Sequence, residues 1–334
     1  MMPRAICIGE CMLEVRPLGG EDYRLSFAGD VCNAAVYLKR SAPSIDVQFL
    51  SATGNDALSA KMRHFWADLG IGDDLCPSVG NDPPGLYVID LDHRGERSFV
   101  YWRSVSPARQ WLKLLRAAGG ADRLAGADLV LLSGISLAII AESEQAQALE
   151  LLAALRGRVG RIAFDPNYRP QLWPDAVVAA GVMQRAIALS DIVLPSLEDV
   201  RELGLDLSNV KEAVTSLGAG GCRLKIGRDV IDLPASTPPA AVVDTSGAGD
   251  AFTGCYLAAR LMGHEPREAA QRALDLAAQW SRSSVRSCRL LEIMPERLFR
   301  MKISVAKERS IFFEKKKQET VITMERTAHG PMLP

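Results

Sequence analysis

The chain has 334 residues, of which 48% are hydrophobic and 24% charged, a composition typical of a globular protein that builds its own core. Lys and Arg number 39 against 40 Asp and Glu, so the sequence has no basic excess with which to neutralise nucleic-acid phosphates. It also contains no apolar run of the ~18 residues that cross a bilayer, and its first residues are not typical of a signal peptide. We therefore expect neither a nucleic acid nor a membrane as a partner.

The seven cysteines favour a reducing compartment. Their number is odd, and their positions form neither a Cys-x-x-Cys pair nor a cluster with zinc-site spacing. Several lie in apolar stretches, where a free thiol behaves as a small hydrophobic group. The sequence thus predicts a cytoplasmic protein.

The predicted elements begin with alternating strands and helices. Residues 5–10 read as a buried strand, and residues 31–40 as a helix with Asp30 as its N-cap. Residues 47–54 predict a second strand that ends at a glycine turn. Apolar residues at helical spacing within 56–70 then predict a helix that Gly70 ends.

The same alternation returns in the second half of the chain. Strands are predicted at 127–134, 161–167 and 191–196, with helices at about 143–156 and 175–189 between them. Nearly continuous apolar strands separated by helices indicate a parallel sheet that is covered on both faces.

Two segments interrupt this rhythm and predict a small antiparallel lid. Residues 85–103 contain two runs of aromatic and β-branched residues joined by the turn HRGE, and residues 15–29 show a similar pattern. An ordinary edge hairpin is the alternative interpretation of this pattern. An open apolar edge on such a lid favours pairing with a second copy, so we expect a homo-oligomer formed through the lid.

The most informative stretch is residues 242–263, where a strand end runs into a glycine-rich turn and a helix from about residue 250. Gly247 and Gly249 allow a sharp turn and a close approach to a ligand. The free N–H groups and the positive dipole end of the helix predict an anion site. A carboxylate at Asp250 suits a base that accepts a proton from an attacking hydroxyl, although a simple helix-capping role is the alternative.

The string DTSGAGDAFTG resembles the C-terminal signature of the PfkB carbohydrate kinases, and FAGDVCNAAVYLKR (27–40) resembles the glycine-rich sugar-binding segment of that family. The resemblance covers about residues 5–280. It implies an α/β fold, a ribokinase-like three-layer α/β/α sandwich with a small β-sheet lid. It also implies that Asp250 is the catalytic base, that the catalytic anion hole is formed by the amides of Gly247, Ala248 and Gly249, and that ATP and Mg²⁺ are required.

Further strings resemble the 2-keto-3-deoxygluconate kinases of this family and imply ATP-dependent phosphorylation of that sugar acid to its 6-phosphate. The resemblance implies these substrate-binding residues: Gly29, Asp30, Asn33, Tyr87, Tyr101, Arg103, Asp165, Asn167 and Arg169. A guanidinium group pairs with a carboxylate through two hydrogen bonds, which independently favours an acidic small molecule as the substrate. For the arginines themselves, the alternatives are a solvated strand position for Arg103 and a loop salt bridge for Arg169. The alternative functions are a fructokinase-like enzyme for a neutral sugar and a catalytically weak sugar-acid-binding protein.

The nucleotide side of the resemblance is less regular. Asp199 stands in LPSLEDV, where related kinases often carry Asn-x-x-Glu, and it is predicted to contact Mg²⁺ through water. The resemblance implies a nucleotide site formed by Lys225, Gly227, Asp244, Thr245, Gly247 and Gly249. From about residue 281 the sequence departs from the family pattern, which leaves nucleotide affinity open. We expect a kinase domain over 1–295 and an atypical polar C-terminal tail over 296–334.

Overall fold

The structure is a computed structural model, and it describes residues 2–19, 22–91, 97–236, 247–282 and 300–302. The predicted HRGE turn and two predicted nucleotide-site residues, Asp244 and Thr245, lie outside the described residues.

The described strands and helices follow the predicted order. The strands are β1 (Arg4–Ile8), β2 (Met12–Gly19), β3 (Asp22–Ala28), β4 (Asp46–Leu50), β5 (Ile71–Gly72), β6 (Leu86–Leu91), β7 (Arg97–Trp102), β8 (Leu129–Ser133), β9 (Arg161–Asp165), β10 (Ile192–Val193), β11 (Glu212–Ser216), β12 (Cys222–Ile226), β13 (Asp229–Leu233) and β14 (Arg300–Lys302). The helices are α1 (Asp30–Ser41), α2 (Ala57–Asp68), α3 (Trp111–Ala117), α4 (Gly134–Ala138), α5 (Glu142–Leu155), α6 (Ala176–Leu189), α7 (Leu197–Leu203), α8 (Ala248–Leu261) and α9 (Pro266–Arg282).

The large sheet has the order β13-β12-β11-β10-β9-β8-β1-β4-β5. All of its pairings from β11 to β5 are parallel, and β12 and β13 add an antiparallel edge. Alternate residues of β1 face opposite layers, because side chains of a strand alternate between its two faces. Ala5 and Cys7 pack with α1, α2, α8 and α9, whereas Ile6 and Ile8 pack with α3 to α6. The predicted three-layer sandwich is confirmed.

The small sheet has the order β14-β3-β2-β6-β7. An antiparallel sheet was predicted, but this sheet is mixed. Strands β2 and β6 run parallel, with Leu13 opposite Leu86. The chain leaves this sheet after β3, passes through the core from α1 to β5, and returns for β6. Such a long crossover is what a parallel pair requires. Strand β14, from the predicted tail, pairs with the outer edge of β3.

The start of α1 corrects the predicted N-cap. The helix begins at Asp30, and the N-cap is Gly29, which has no side chain to bond the first turn. A Cβ added at Gly29 would lie 2.1 Å from the carbonyl oxygen of Glu10, so only glycine fits this close approach. The carboxylate of Asp30 is therefore free to point toward another element.

Two further features concern the described residues as a whole. Their six cysteines are buried and free of disulfides. None of their helices combines the length and the apolar character that crossing a membrane demands.

Candidate active site

The candidate site lies where the parallel strands of the large sheet end. The carboxyl ends of β1 and β9 lie at this edge together with the amino ends of α1 and α8, and the small sheet is connected to the core there. In open α/β sheets this edge is the usual place for a ligand, because the loops after the strands form a crevice there.

The glycine-rich turn leads directly into α8. Gly247 has φ 77, a left-handed conformation that glycine adopts without strain, and it is the N-cap of the helix. Gly247 has no side chain with which to cap this end, and no other side chain of the described residues is recorded there, so the first N–H groups of α8 suit an anion. Residues 251–259 of the helix are buried, which fixes its amino end relative to the core.

Asp250 lies in the first turn of α8. The residue is half-buried, with part of its surface exposed to solvent. Burial raises the pKa of Asp250 to about 7, with a smaller raising effect of Asp30; the hydrogen bond from Asn33 and the charge of Arg169 act in the opposite direction. A carboxyl group with this pKa changes protonation near neutral pH, as a general base requires.

Two asparagine–aspartate hydrogen bonds connect the three parts of the site. Asn33 Nδ2 donates to Asp250 Oδ2 at 2.8 Å, which joins α1 to α8. Asn167 Nδ2 donates to Asp30 Oδ2 at 3.0 Å, which joins the loop after β9 to α1. Asn167 has φ 36, and no other non-glycine residue in the described ranges has a positive φ. Such a conformation costs energy and persists where the surroundings hold it, often at a functional site.

Asp165, the last residue of β9, lies close to this group. Thr253 Oγ1 on α8 donates to Asp165 Oδ2 at 3.4 Å. Burial raises the pKa of Asp165 well above its usual value, and the neighbouring carboxylates, led by Asp199, raise it further. The site therefore gathers several carboxyl groups with Arg169 as a nearby compensating charge.

Tyr101 and two arginines form the side of the site contributed by the small sheet and the β9 loop. The Arg103 guanidinium lies 6.0 Å from the centre of the Tyr101 ring. Partial burial raises the pKa of Tyr101, while the charges of Arg169 and then Arg103 lower it and Asp30 raises it. Because the charges of both arginines act on Tyr101, this side chain lies near both of them. Arg169 is exposed, and its Nη1 donates to the carbonyl of Tyr168.

Tyr87 is placed differently from the other predicted substrate residues. Its hydroxyl donates to the carboxylate of Glu14 inside the small sheet, and the residue is buried. Its ring lies 5.6 Å from that of Tyr101. Tyr87 thus supports the Tyr101 ring, and its hydroxyl is already engaged.

Arg103 has a partner that the sequence did not reveal. Its Nη2 donates to Glu10 Oε2, and both side chains are largely buried. Glu10 follows a buried strand and looks like an ordinary loop residue in the sequence. A glutamate that is 1% exposed beside a buried arginine is recognised only in three dimensions.

Asp199, the predicted metal-associated residue, forms a capping box at the start of α7. Its Oδ2 accepts from both the backbone and the hydroxyl of Ser196 at 2.8 Å, and its Oδ1 accepts from the N–H of Tyr168 at 2.9 Å. Both oxygens therefore already accept hydrogen bonds, and no three carboxyl, thiol or imidazole groups of the described residues are arranged to hold a metal ion together. This arrangement does not fit direct coordination of Mg²⁺.

Lys225 and Gly227 depart from the predicted nucleotide site. They lie near the amino end of β11, since Lys225 pairs with Ala213 and the N–H of Gly227 bonds Lys211. This is the edge of the sheet opposite to the candidate site, and Lys225 Nζ bonds the carbonyl of Val210 there. The physical reason is the antiparallel direction of β12, which carries the chain away from the carboxyl edge.

A second glycine-rich turn occupies the carboxyl edge instead. Residues 218–221 join β11 to β12, and Gly218 and Gly221 have φ 59 and 98. The signal was present in the sequence as LGAGG, a string that allows backbone N–H groups to approach a ligand. The sequence instead suggested Lys225, in the following strand, and Gly227, just after that strand, as the nucleotide-binding residues.

A parallel sheet lies between two helical layers, a small sheet lies at its carboxyl edge, and an aspartate lies in the first turn of the glycine-started helix α8. This is the architecture of the ribokinase-like class of phosphotransferase folds. The sequence model of the pfkB family of carbohydrate kinases matches residues 2–286. The chain belongs to this family. This membership agrees with the resemblance drawn from the sequence.

Individual proteins are similar over most of the chain. A 2-dehydro-3-deoxygluconokinase from Dickeya dadantii is 38% identical over 280 residues, covering 79% of this chain and 90% of that protein. A fructokinase from Klebsiella pneumoniae is 28% identical over 295 residues, covering 81% and 88%. The crystal structure of a sugar kinase from Pyrococcus horikoshii in complex with ATP has a TM-score of 0.72 at 22% identity, covering 84% and 92%, and shares the fold.

Proposed function

We propose that this protein is an ATP-dependent kinase that phosphorylates 2-keto-3-deoxygluconate, also named 2-dehydro-3-deoxygluconate, at its 6-hydroxyl. The observation that carries the proposal is Asp250 in the first turn of α8, next to the N-cap Gly247, with a pKa raised to about 7. The similarity to the Dickeya dadantii enzyme supports the choice of substrate, since the fructokinase is a more distant relative.

The proposed reaction is a direct phosphoryl transfer. Asp250 accepts the proton of the 6-hydroxyl as that oxygen bonds to the γ-phosphorus of ATP. The bond between the γ-phosphorus and the bridging oxygen breaks, and ADP leaves with its electron pair. The N–H groups at the start of α8 stabilise the negative charge on the transferred group, because they point at it without rearrangement. Asn33 holds the Asp250 carboxylate toward α1, where the sugar is proposed to bind.

The acidic end of the substrate is proposed to lie near Tyr101, Arg103 and Arg169. Arg169 is the more accessible of the two arginines, and its charge reaches both Tyr101 and Asp250. A carboxylate bound there would lie beside the small sheet and would leave the far end of the sugar for Asp250. Gly29 and Asp30 then contact the middle of the sugar, with Asp30 oriented by Asn167.

ATP is proposed to bind along the carboxyl edge as its magnesium complex. The turn at 218–221 and the start of α8 offer backbone N–H groups that suit phosphate oxygens. Mg²⁺ is expected to arrive with the nucleotide and to neutralise its phosphate charge. Asp199, whose oxygens accept three hydrogen bonds from Ser196 and Tyr168, is proposed to contact this ion only through water.

The first experiment measures ADP release with ATP and Mg²⁺ in the presence of 2-keto-3-deoxygluconate, fructose or ribose. We expect turnover confined to the keto acid. Turnover with fructose alone would replace the proposal by a fructokinase. Absence of turnover together with retained sugar-acid binding would identify a binding protein. The variant Asp250→Asn is expected to bind the sugar acid and to lose turnover, and unchanged turnover would refute the base role.

A dimer through the small sheet is proposed as well. Phe99, Val100 and Tyr101 on the edge strand β7 are 37–46% exposed, and an edge strand with exposed apolar side chains is a template for another strand. The test is sedimentation at micromolar concentration, where a monomer alone would rule out the dimer. The buried free cysteines support a reducing compartment such as the cytosol.

A further inference from the structure

The side chain and backbone of Glu10 lie where the small sheet meets the core. Four chain connections join β2, β3, β6 and β7 to the core, and they pass through Glu10, Gly29, Gly85 and Arg103. A Cβ added at Gly29 would lie 2.1 Å from Glu10 O, and one added at Gly85 would lie 2.7 Å from Glu10 Oε1. Both glycines therefore allow the other connections to pass directly against Glu10.

The ion pair between Glu10 and Arg103 is incomplete. Nη2 of Arg103 donates to Oε2 of Glu10, whereas Arg103 Nε and Glu10 Oε1 are buried and have no hydrogen-bond partner within the described residues. Nε and Nη2 form one edge of the planar guanidinium group, and a carboxylate can accept from both at once. A small rotation would satisfy both orphaned atoms in one bidentate pair, which removes the cost of leaving them buried and unbonded.

The two partners belong to different parts of the molecule. Arg103 follows β7 of the small sheet, while Glu10 follows β1 of the core, the part that also carries Asp250. The guanidinium carbon of Arg103 lies over the Tyr101 ring, 6.0 Å from the centre of that ring. If Glu10 binds the Nε–Nη2 edge, the edge of the guanidinium group that includes Nη1 is left for a ligand.

We propose that Glu10 is a positioning residue that binds one edge of Arg103 from the core and thereby turns the other edge toward the carboxylate of the sugar acid. This inference rests on the proposed function, since it assigns the substrate's acidic end to Arg103. Glu10 acts through Arg103 and does not touch the substrate. Its effect should therefore appear in the binding of acidic sugars and should disappear when Arg103 is removed.

The variant Glu10→Gln keeps the size of the side chain and removes its charge. A hydrogen bond to a charged group is stronger than one to a neutral group, so we expect KM for the keto acid to rise about tenfold. The value of kcat should stay within about threefold, because Asp250 and its amide surroundings are not altered. In an Arg103→Met background, adding Glu10→Gln should change KM by less than about twofold, since the two residues act as one unit.

The matched control is Glu212→Gln. Glu212 also forms a buried pair with an arginine, Arg260, at 2.8 Å, but it joins β11 to α8 away from the small sheet. We expect this control to lower the unfolding temperature without raising KM for the keto acid. Should Glu10→Gln fail to fold, Glu10→Asp retains the charge and withdraws it by one methylene group, and a raised KM is again expected.

Calorimetric binding of the keto acid in the absence of ATP separates the two proposals. If the wild type binds the acid but does not phosphorylate it, the kinase proposal fails, and a weaker Kd in Glu10→Gln still supports the positioning role. An unchanged or lower KM or Kd in a folded Glu10→Gln variant overturns that role, as does an equal change in the Arg103→Met background. A wild type that neither binds nor phosphorylates the acid overturns both proposals.

Discussion

Replacing Asn33 by alanine tests how the protein sets the pKa of its proposed base. Asn33 Nδ2 donates to Asp250 Oδ2 at 2.8 Å, and this bond favours the ionised form of the carboxyl group. A hydrogen bond to a charged group contributes about 1.5–3 kcal/mol, and one pKa unit corresponds to about 1.4 kcal/mol. Because Asp250 is partly exposed, water replaces some of the lost bond, and we expect the pKa to rise from about 7 by about one unit.

The consequence is a shifted pH dependence of turnover. A base must be ionised, so activity should increase as the pH rises through the pKa of Asp250. At pH 7 the ionised fraction falls from about one half to about one tenth for a one-unit shift, which lowers kcat/KM about fivefold. Near pH 9 both proteins are mostly ionised, and the variant should approach the wild-type rate. The assay is kcat/KM for the keto acid between pH 5.5 and 9.5, with buffers of constant ionic strength.

The matched control is Asn55→Ala. Asn55 also donates from Nδ2, to the carbonyl of Gly80 at 2.8 Å in an exposed loop, so Asn55→Ala makes the same chemical change away from the site. It should leave the profile unchanged. If Asn33→Ala instead lowers kcat/KM by the same factor at every pH, Asn33 does not set the pKa of the base.

Three further predictions concern stability. The raised pKa of Asp250 means that the folded protein keeps a proton that the unfolded chain releases above about pH 3.8. Wild-type stability should therefore fall between about pH 4 and 7. In urea unfolding, Asp250→Asn should be more stable than the wild type by up to about 4 kcal/mol at pH 8 and similar to it at pH 4. Glu212→Ala leaves Arg260 buried without its partner and should cost about 3 kcal/mol in the same assay, whereas a loss below about 1 kcal/mol would show that the pair is solvent-screened. Gly29→Ala forces a methyl group against the carbonyl of Glu10 and should lower stability by at least ~2 kcal/mol, and an unchanged unfolding midpoint would contradict this close approach.

The candidate site places its charges so that they compensate one another. The charges of Asp30 and Asp250 raise the pKa of Asp165, the charge of Asp30 raises the pKa of Asp250, and Arg169 lowers the pKa of both. A substrate carboxylate near Arg169 would weaken this compensation at Asp250 and favour its protonated form. If the substrate carboxylate binds there, Arg169 would couple sugar binding to the protonation of Asp250.

Local sequence was sufficient for the core elements and for the glycine-rich turn before α8. Helical and strand periodicity depend on which face of an element is buried, and nearly continuous apolar strands are explained only by a sheet covered on both sides. The turn was equally readable, because Gly247 adopts a left-handed conformation and the helix after it exposes N–H groups whatever the rest of the chain does. The placement of Asp250 in that first turn followed from the sequence for the same reason.

The partners of the site residues were decided only by tertiary structure. Asn33 and Asp250 are 217 residues apart, and Asn167 and Asp30 are 137 apart, so no local pattern relates them. The burial of Glu10 against Arg103 likewise depends on four chain connections that meet at one point.

The direction of the strands decided the rest. The positions of Lys225 and Gly227 depended on whether β12 ran with or against β11, and a short strand does not reveal its direction in its own sequence. The parallel pair of β2 and β6 was hidden for the same reason, since it depends on a crossover through the whole first half of the core. Hydrophobic periodicity indicates which face of a helix or strand is buried, and it can be read from a short stretch of sequence. Strand pairing and side-chain pKa values depend on distances between remote residues, which only the complete fold establishes.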